Sequence, residues 1–106
     1  MATGRLGNGQ LTASTWVNCY DVPTGKIASF SILITNRSGG SITVSIAISN
    51  STSSPANSEY IENNVTIAPD GIFERTGLVA SDYEYVLINS SATLTSYRIH
   101  GYEENP

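Results

Sequence analysis

Between Ile27 and Ser49 apolar side chains fall on alternate positions in two runs: Ala28, Phe30, Ile32 and Ile34, then Ile42, Val44, Ile46 and Ile48. Successive side chains of a β-strand point to opposite faces, so each run predicts a strand with one dry face and one Ser/Thr face. Gly39-Gly40 stands between the runs, and together they read as a β-hairpin. Parity constrains the connection. For the even residues of both strands to share a face, the loop must hold an odd number of residues, three or five. Gly39 or Gly40 is expected to supply the left-handed residue if the loop has three.

Six further segments have strand character. Leu11 to Ala13 is expected as a short strand. In the next, Trp16, Asn18, Tyr20 and Val22 share one face and Val17 and Cys19 the other, with Trp16 expected in the core. It ends at Val22-Pro-Thr-Gly25, a turn sequence. Asn50 to Ser58 is too polar to pack and reads as a loop. Tyr60 to Ile67 alternates through Ile61, Val65 and Ile67. Ala68-Pro-Asp-Gly71 fits a type I turn, after which Gly71 to Thr76 is expected to return antiparallel to the preceding strand. Tyr85 to Asn89 is apolar on both faces, as a central strand is. The last segment, Ala92 to Tyr102, changes phase between Leu94 and the pair Tyr97 and Ile99, which marks a bulge near Ser96 or a change of sheet.

No window carries helical periodicity. Seven or eight short strands separated by turns predict an all-β fold, an antiparallel β-sandwich of jelly-roll-like type. Residues 11–106 are expected to form a single β-sandwich domain. Residues 1–10, Met-Ala-Thr-Gly-Arg-Leu-Gly-Asn-Gly-Gln, lack apolar density and read as a flexible N-terminal arm that orders on a neighbouring subunit or stays disordered.

Composition narrows the chemistry. Charged residues are only 13% of the chain and the formal net charge is −4, so hydroxyls and amides supply most of its polarity. Five scattered basic residues cannot build the stripe that a phosphate backbone requires, and no nucleic-acid partner is expected. No apolar run approaches a membrane span, and no basic segment with an apolar core opens the chain as a secretory signal. Four glycosylation sequons, at Asn36, Asn50, Asn64 and Asn89, are discounted as chance in so Asn/Ser/Thr-rich a chain. Cys19 stands alone, excluding an intrachain disulfide and a thiolate metal site, and reads as a buried small apolar residue.

No enzyme is expected, and no catalytic, cofactor-binding or metal-ligating residue is assigned. His100 is the single histidine, and nothing in the sequence resembles a nucleophile elbow to accompany it. Glu59 and Glu62 are odd-spaced and face opposite ways in a regular strand, and no EF-hand spacing occurs. Glu74 and Arg75 are expected to find partners on neighbouring strands. Asp82-Tyr-Glu-Tyr85 reads first as a solvated loop entering a strand. It is also the best candidate for a small binding surface, because tyrosine offers an apolar face and a hydroxyl. The candidate partner contacts are Arg5 and Leu6 in the arm, with Tyr83, Tyr85 and Tyr102.

Thr24-Gly-Lys to Asn36-Arg, Ser45-Ile-Ala-Ile-Ser49, Ser58-Glu-Tyr-Ile-Glu62, Ala68-Pro-Asp-Gly71 with Glu74-Arg-Thr-Gly77, and Ile99-His-Gly-Tyr-Glu-Glu104 together resemble a small β-sandwich virion protein of tailed phages, of the type found in cyanophages. The resemblance implies a non-enzymatic structural protein, made in the host cytoplasm and carried on the virion. Its first expected role is a capsid decoration (cement) protein on the outer face of the head. Its partners are then the major capsid protein or other virion proteins, and by analogy with decoration proteins it is a homotrimer. The alternative is a tail-fibre or receptor-binding module with a glycan receptor. The resemblance implies no cofactor and carries no active-site residue.

Overall fold

The computed structural model describes residues 3–105. Among them eight strands run in chain order: β1 (Thr3–Gln10), β2 (Trp16–Asp21), β3 (Ile27–Asn36), β4 (Ile42–Ser49), β5 (Tyr60–Ile67), β6 (Ile72–Ser81), β7 (Tyr85–Ser90) and β8 (Thr95–Glu104). They form two antiparallel four-stranded sheets. Sheet I has the order β1-β8-β3-β6 and sheet II the order β2-β7-β4-β5. The pairs β1·β8, β2·β7, β3·β6 and β4·β5 nest one inside the next. The chain is thus one long antiparallel ribbon rolled into a sandwich, which is the strand order of an eight-stranded jelly roll.

The two alternating runs do become strands: β3 is dry on its even residues, β4 is buried on both faces with Ile48 half-buried, and the two do not pair with each other. β3 lies in sheet I between β8 and β6, while β4 lies in sheet II between β7 and β5. The five residues 37–41 arch from one sheet to the other, and neither Gly39 nor Gly40 takes a positive φ. Alternation reports which side chains are dry, and two strands facing each other across a core satisfy it as well as two strands side by side. The same correction applies to β5 and β6. The turn between them closes with Gly71 N–H donating to Ala68 O at 2.9 Å, but Asp70 has φ +56°, the type II geometry rather than type I. It delivers β6 to β3 rather than back to β5.

Other departures have local causes. Thr3–Gln10, expected as a flexible arm, is the edge strand β1, paired to β8 from Thr3↔Tyr102 to Gln10↔Ser96; Met1 and Ala2 lie outside the described residues. Two of its glycines serve close packing: a Cβ on Gly7 would stand 2.6 Å from Cys19 O, and one on Gly9 would stand 3.0 Å from the Tyr97 hydroxyl. Leu11 is buried but outside any strand, and only Ala13 makes an isolated bridge, to Ser90. The pairing of β2 with β7 slips between Asn18 and Tyr20, so Val17, Cys19, Tyr20 and Val22 all reach the core and Trp16 and Asn18 do not. Trp16 is therefore not a core residue. β8 pairs β3 without a slip, and Leu94 precedes it on the loop from sheet II to sheet I, so the change of phase marks a change of sheet.

The core is built from Ile32, Ile34, Ile46, Val86, Ile88 and Ile99, all fully buried, with Phe30, Val44 and Leu78 around them. Full burial of one such side chain contributes about 1.5–3 kcal/mol. Three polar devices tie the sheets together. At one open edge Arg75 of β6 forms an ion pair with Glu62 of β5. Inside, the Tyr20 hydroxyl of β2 donates to Glu103 Oε2 of β8 at 2.5 Å. At the β3–β4 arch, Asn36 is fully buried and its Nδ2 donates to the carbonyls of Gly40, Ile67 and Ala68.

Burial of the acids between the sheets makes the fold sensitive to alkali. Burial pushes the Cys19 thiol from 9.0 up to about 12 and the Tyr97 phenol from 10.0 up to about 12. Burial, and then the Glu103 carboxyl, raise Tyr20 as well. Each folded value lies above the unfolded one, so the contribution of these groups is complete below pH 9 and is lost as pH rises toward 12. Thermal unfolding across that window is expected to show a falling Tm, with part of the tyrosinate absorbance appearing only as the chain unfolds. A flat Tm would contradict this burial.

Candidate functional site

The outer face of sheet II is where uncharged chemistry collects. Trp16, Asn89 and Ser45 stand in one row across β2, β7 and β4, and Asn18, Leu87, Ala47 and Tyr60 in the next row across all four strands. Leu87 and Ala47 lie outside the core cluster, yet both are 0% exposed. Their cover is aromatic. Trp16 reaches from β2 and Tyr60 from β5 at the opposite edge, and their rings meet edge to face with centroids 5.2 Å apart.

The far wall comes from a bulge in β5. Register runs Val44↔Val65 and then Ile46↔Glu62, so one extra residue is accommodated and Asn64 takes φ +52°. Asparagine tolerates that backbone better than most residues. Ser45 fixes it: Asn64 N–H donates to Ser45 Oγ at 3.0 Å, and Ser45 Oγ donates to Asn64 Oδ1 at 3.4 Å. The bulge brings Asn63 and Asn64 together into a cleft of about 380 Å³, with Trp16, Tyr60 and Asn89. The hydroxyl residues Ser14, Thr43 and Ser91 complete its lining. A second depression of about 300 Å³ adjoins it, sharing Tyr60 and Asn63 and bounded by Asn57. No residue lining either one is charged.

Glu59 sets the position of Tyr60. Its Oε1 accepts from Ser49 Oγ at 2.6 Å and from the Ala56 N–H at 2.7 Å, closing the 50–59 loop onto the end of β4. The Ser49 hydroxyl first, then the Ala56 amide, hold its carboxyl below the ordinary carboxylate range. Glu59 therefore acts in building the loop.

The residues singled out by sequence lie elsewhere and are dispersed. Arg5 is exposed on β1 in register with His100, and Leu6 packs against the core at the β1 bulge. Tyr83 is 67% exposed in the β6–β7 turn, and Tyr85 opens β7 half-buried. The carboxylates beside them serve the turns: Asp82 Oδ2 accepts from the Gly25 N–H at 3.0 Å, and Glu84 Oε1 from the Ser81 N–H at 2.8 Å. Tyr102 is on the outer face of sheet I, where it, Val79 and His100 border a depression of about 370 Å³. His100 pairs in register with Arg5 and Ser31, and its Nδ1 is buried without a hydrogen-bond partner. Among the described residues no group of His, Cys, Asp and Glu is placed to hold a metal ion, and no helix is long and apolar enough to cross a membrane.

No family model, no curated protein and no solved structure matches this chain. Its function is therefore argued from the site itself.

Sequence reasoning missed Trp16, Tyr60, Asn63, Asn64 and Asn89. The signal was present in two places: a tryptophan on a strand whose opposite parity is also apolar, and an Asn-Asn pair interrupting the alternation of β5.

Proposed function

We propose that this chain is a non-enzymatic recognition module of a virion, the receptor-binding or tail-fibre role, with the outer face of sheet II as its contact surface. One observation carries the reading: a preformed, uncharged cleft flanked by an aromatic pair, built mainly on the strands of sheet II. Small-molecule and ligand sites are commonly concave, mostly pre-formed and lined by aromatic residues with a few fixed polar groups. The head-decoration role drew on a free arm to clamp capsid neighbours, and that support weakens with Thr3–Gln10 paired along β8.

Fluorescently labelled protein, incubated with a panel of bacteria, tests the reading. Trp16→Ala is expected to reduce retention on the strains that bind by roughly tenfold or more, as removal of an aromatic anchor does. Arg5→Ala and Tyr83→Ala are expected to leave retention unchanged. Full retention by Trp16→Ala would sink the assignment of this surface.

One feature favours decoration as a second reading. The outer face of sheet I exposes Ile72 at 67%, Val79 at 62% and Tyr102 at 47%. These suit contact with the major capsid protein or with copies of the chain in a homotrimer. On this reading, light scattering gives a trimer mass or stripped capsids bind the protein, and Tyr102→Ser with Val79→Ser lowers either signal. A monomer without affinity for capsids would remove it.

A further inference from the structure

We infer that the paired depressions of sheet II take a neutral oligosaccharide, an inference that rests on reading this face as the recognition surface. An ionised sialate, sulfate or phosphate loses water on entering a cleft and needs a cation or several aligned donors in return. Neither depression has a lysine, arginine or histidine on its walls, and the chain as a whole carries −4. An uncharged ligand meets no such penalty.

The walls match what a sugar ring offers. Pyranose rings present a C–H face and an equatorial fringe of hydroxyls. Trp16 and Tyr60 supply apolar ring surface with a polar handle on each. Asn63 and Asn89 supply amides, each with an acceptor oxygen and two N–H donors, the pattern that vicinal hydroxyls satisfy. Asn64 is more selective. Its Oδ1 is engaged by Ser45 Oγ, which leaves the amide nitrogen to donate. The ligand atom facing it is then an acceptor, a sugar hydroxyl or an acetamido oxygen.

The arrangement also sets ligand length. The two depressions share Tyr60 and Asn63, so they adjoin at these two residues. A monosaccharide fills one of them; a disaccharide or longer chain, passing Tyr60, engages both.

The full chain is applied to a glycan array carrying neutral, sialylated and sulfated structures, and the hit glycan is then titrated calorimetrically. Neutral glycans of two or more rings are expected to bind. Trp16→Ala should weaken that binding roughly tenfold or more, and Ser45→Ala, which releases Asn64, by severalfold. Asn63→Asp changes an exposed side chain, so its folding is secure, and a carboxylate there should weaken binding as well. Tyr83→Ala should not. Binding confined to charged glycans would overturn the inference and leave the recognition surface standing. So would silence on the array while labelled protein still adheres to bacteria through Trp16. Neutral-glycan binding that survives both Trp16→Ala and Asn63→Asp would overturn the inference and the surface together, as would silence on the array without Trp16-dependent adhesion.

Discussion

Replacing Asn36 by alanine is expected to destabilise the fold by about 3–5 kcal/mol, near the upper end for a single substitution. Asn36 is fully buried at the end of β3, where the chain leaves sheet I. Its Nδ2 serves the carbonyls of Gly40 at 2.9 Å, Ile67 at 3.1 Å and Ala68 at 2.9 Å. Its Oδ1 accepts from the Ser38 N–H at 2.9 Å and the Ser38 hydroxyl at 2.8 Å. One side chain thus knots the β3–β4 arch to the β5–β6 turn, two of the connections that cross between the sheets at that end of the sandwich. Alanine removes the donor and leaves buried carbonyls without it, at about 1–3 kcal/mol for each that water does not reach. Urea unfolding should give a lower midpoint with an unchanged slope. A loss below about 1 kcal/mol, the ordinary size for a surface substitution or less, would show that the arches hold without this residue. The same burial makes Asn36 a poor glycosylation acceptor in the folded chain, whatever its sequon.

Gly101→Ala is expected to be as damaging, for a steric reason. Gly101 lies in β8 opposite Phe30 of β3, at the middle of sheet I, with φ +156°. A Cβ there would stand 2.0 Å from Ser29 O and 2.7 Å from Phe30 Cα, both backbone atoms of the paired strand. Backbone cannot rotate aside as a side chain does, so β8 and β3 must separate locally and lose ladder hydrogen bonds and core packing together. A cost of about 3 kcal/mol or more follows, at the severe end of overpacking. The readout is thermal unfolding with amide exchange. β8 and β3 should lose protection first; a Tm within a degree or so of wild type would mean that the strands are not held this closely.

The sequence made the strands more legible than their partners. β5 occupies the expected Tyr60–Ile67 span, β7 is the central strand its two apolar faces implied, and β3 is dry on its even positions. Strand neighbours were not legible, because Ile34 and Ile42 are dry for the same reason whether their strands pair or face each other across a core. β1 was hidden by its glycines, which read as freedom and act as clearance beside Cys19 and Tyr97. Of the proposed site, the sequence singled out tyrosines other than the one that lines the sheet II cleft. Tyr83 stood out beside two carboxylates, but those close turns, and the tyrosine that faces an uncharged cleft is Tyr60. Two irregularities account for the miss. The slip at Cys19 turns Trp16 outward, and the bulge at Asn64 gathers two amides on one face. Neither is visible in a strict period of two.

The proposed recognition surface is most directly tested by amide hydrogen exchange on the full chain, free and bound to a bacterial envelope fraction that retains it. Added protection at Trp16, across Tyr60 to Asn64 and at Asn89, with β6 and β8 unchanged, is the predicted result. Protection confined to β6 and β8, around Val79 and Tyr102, would contradict it and move the contact to sheet I.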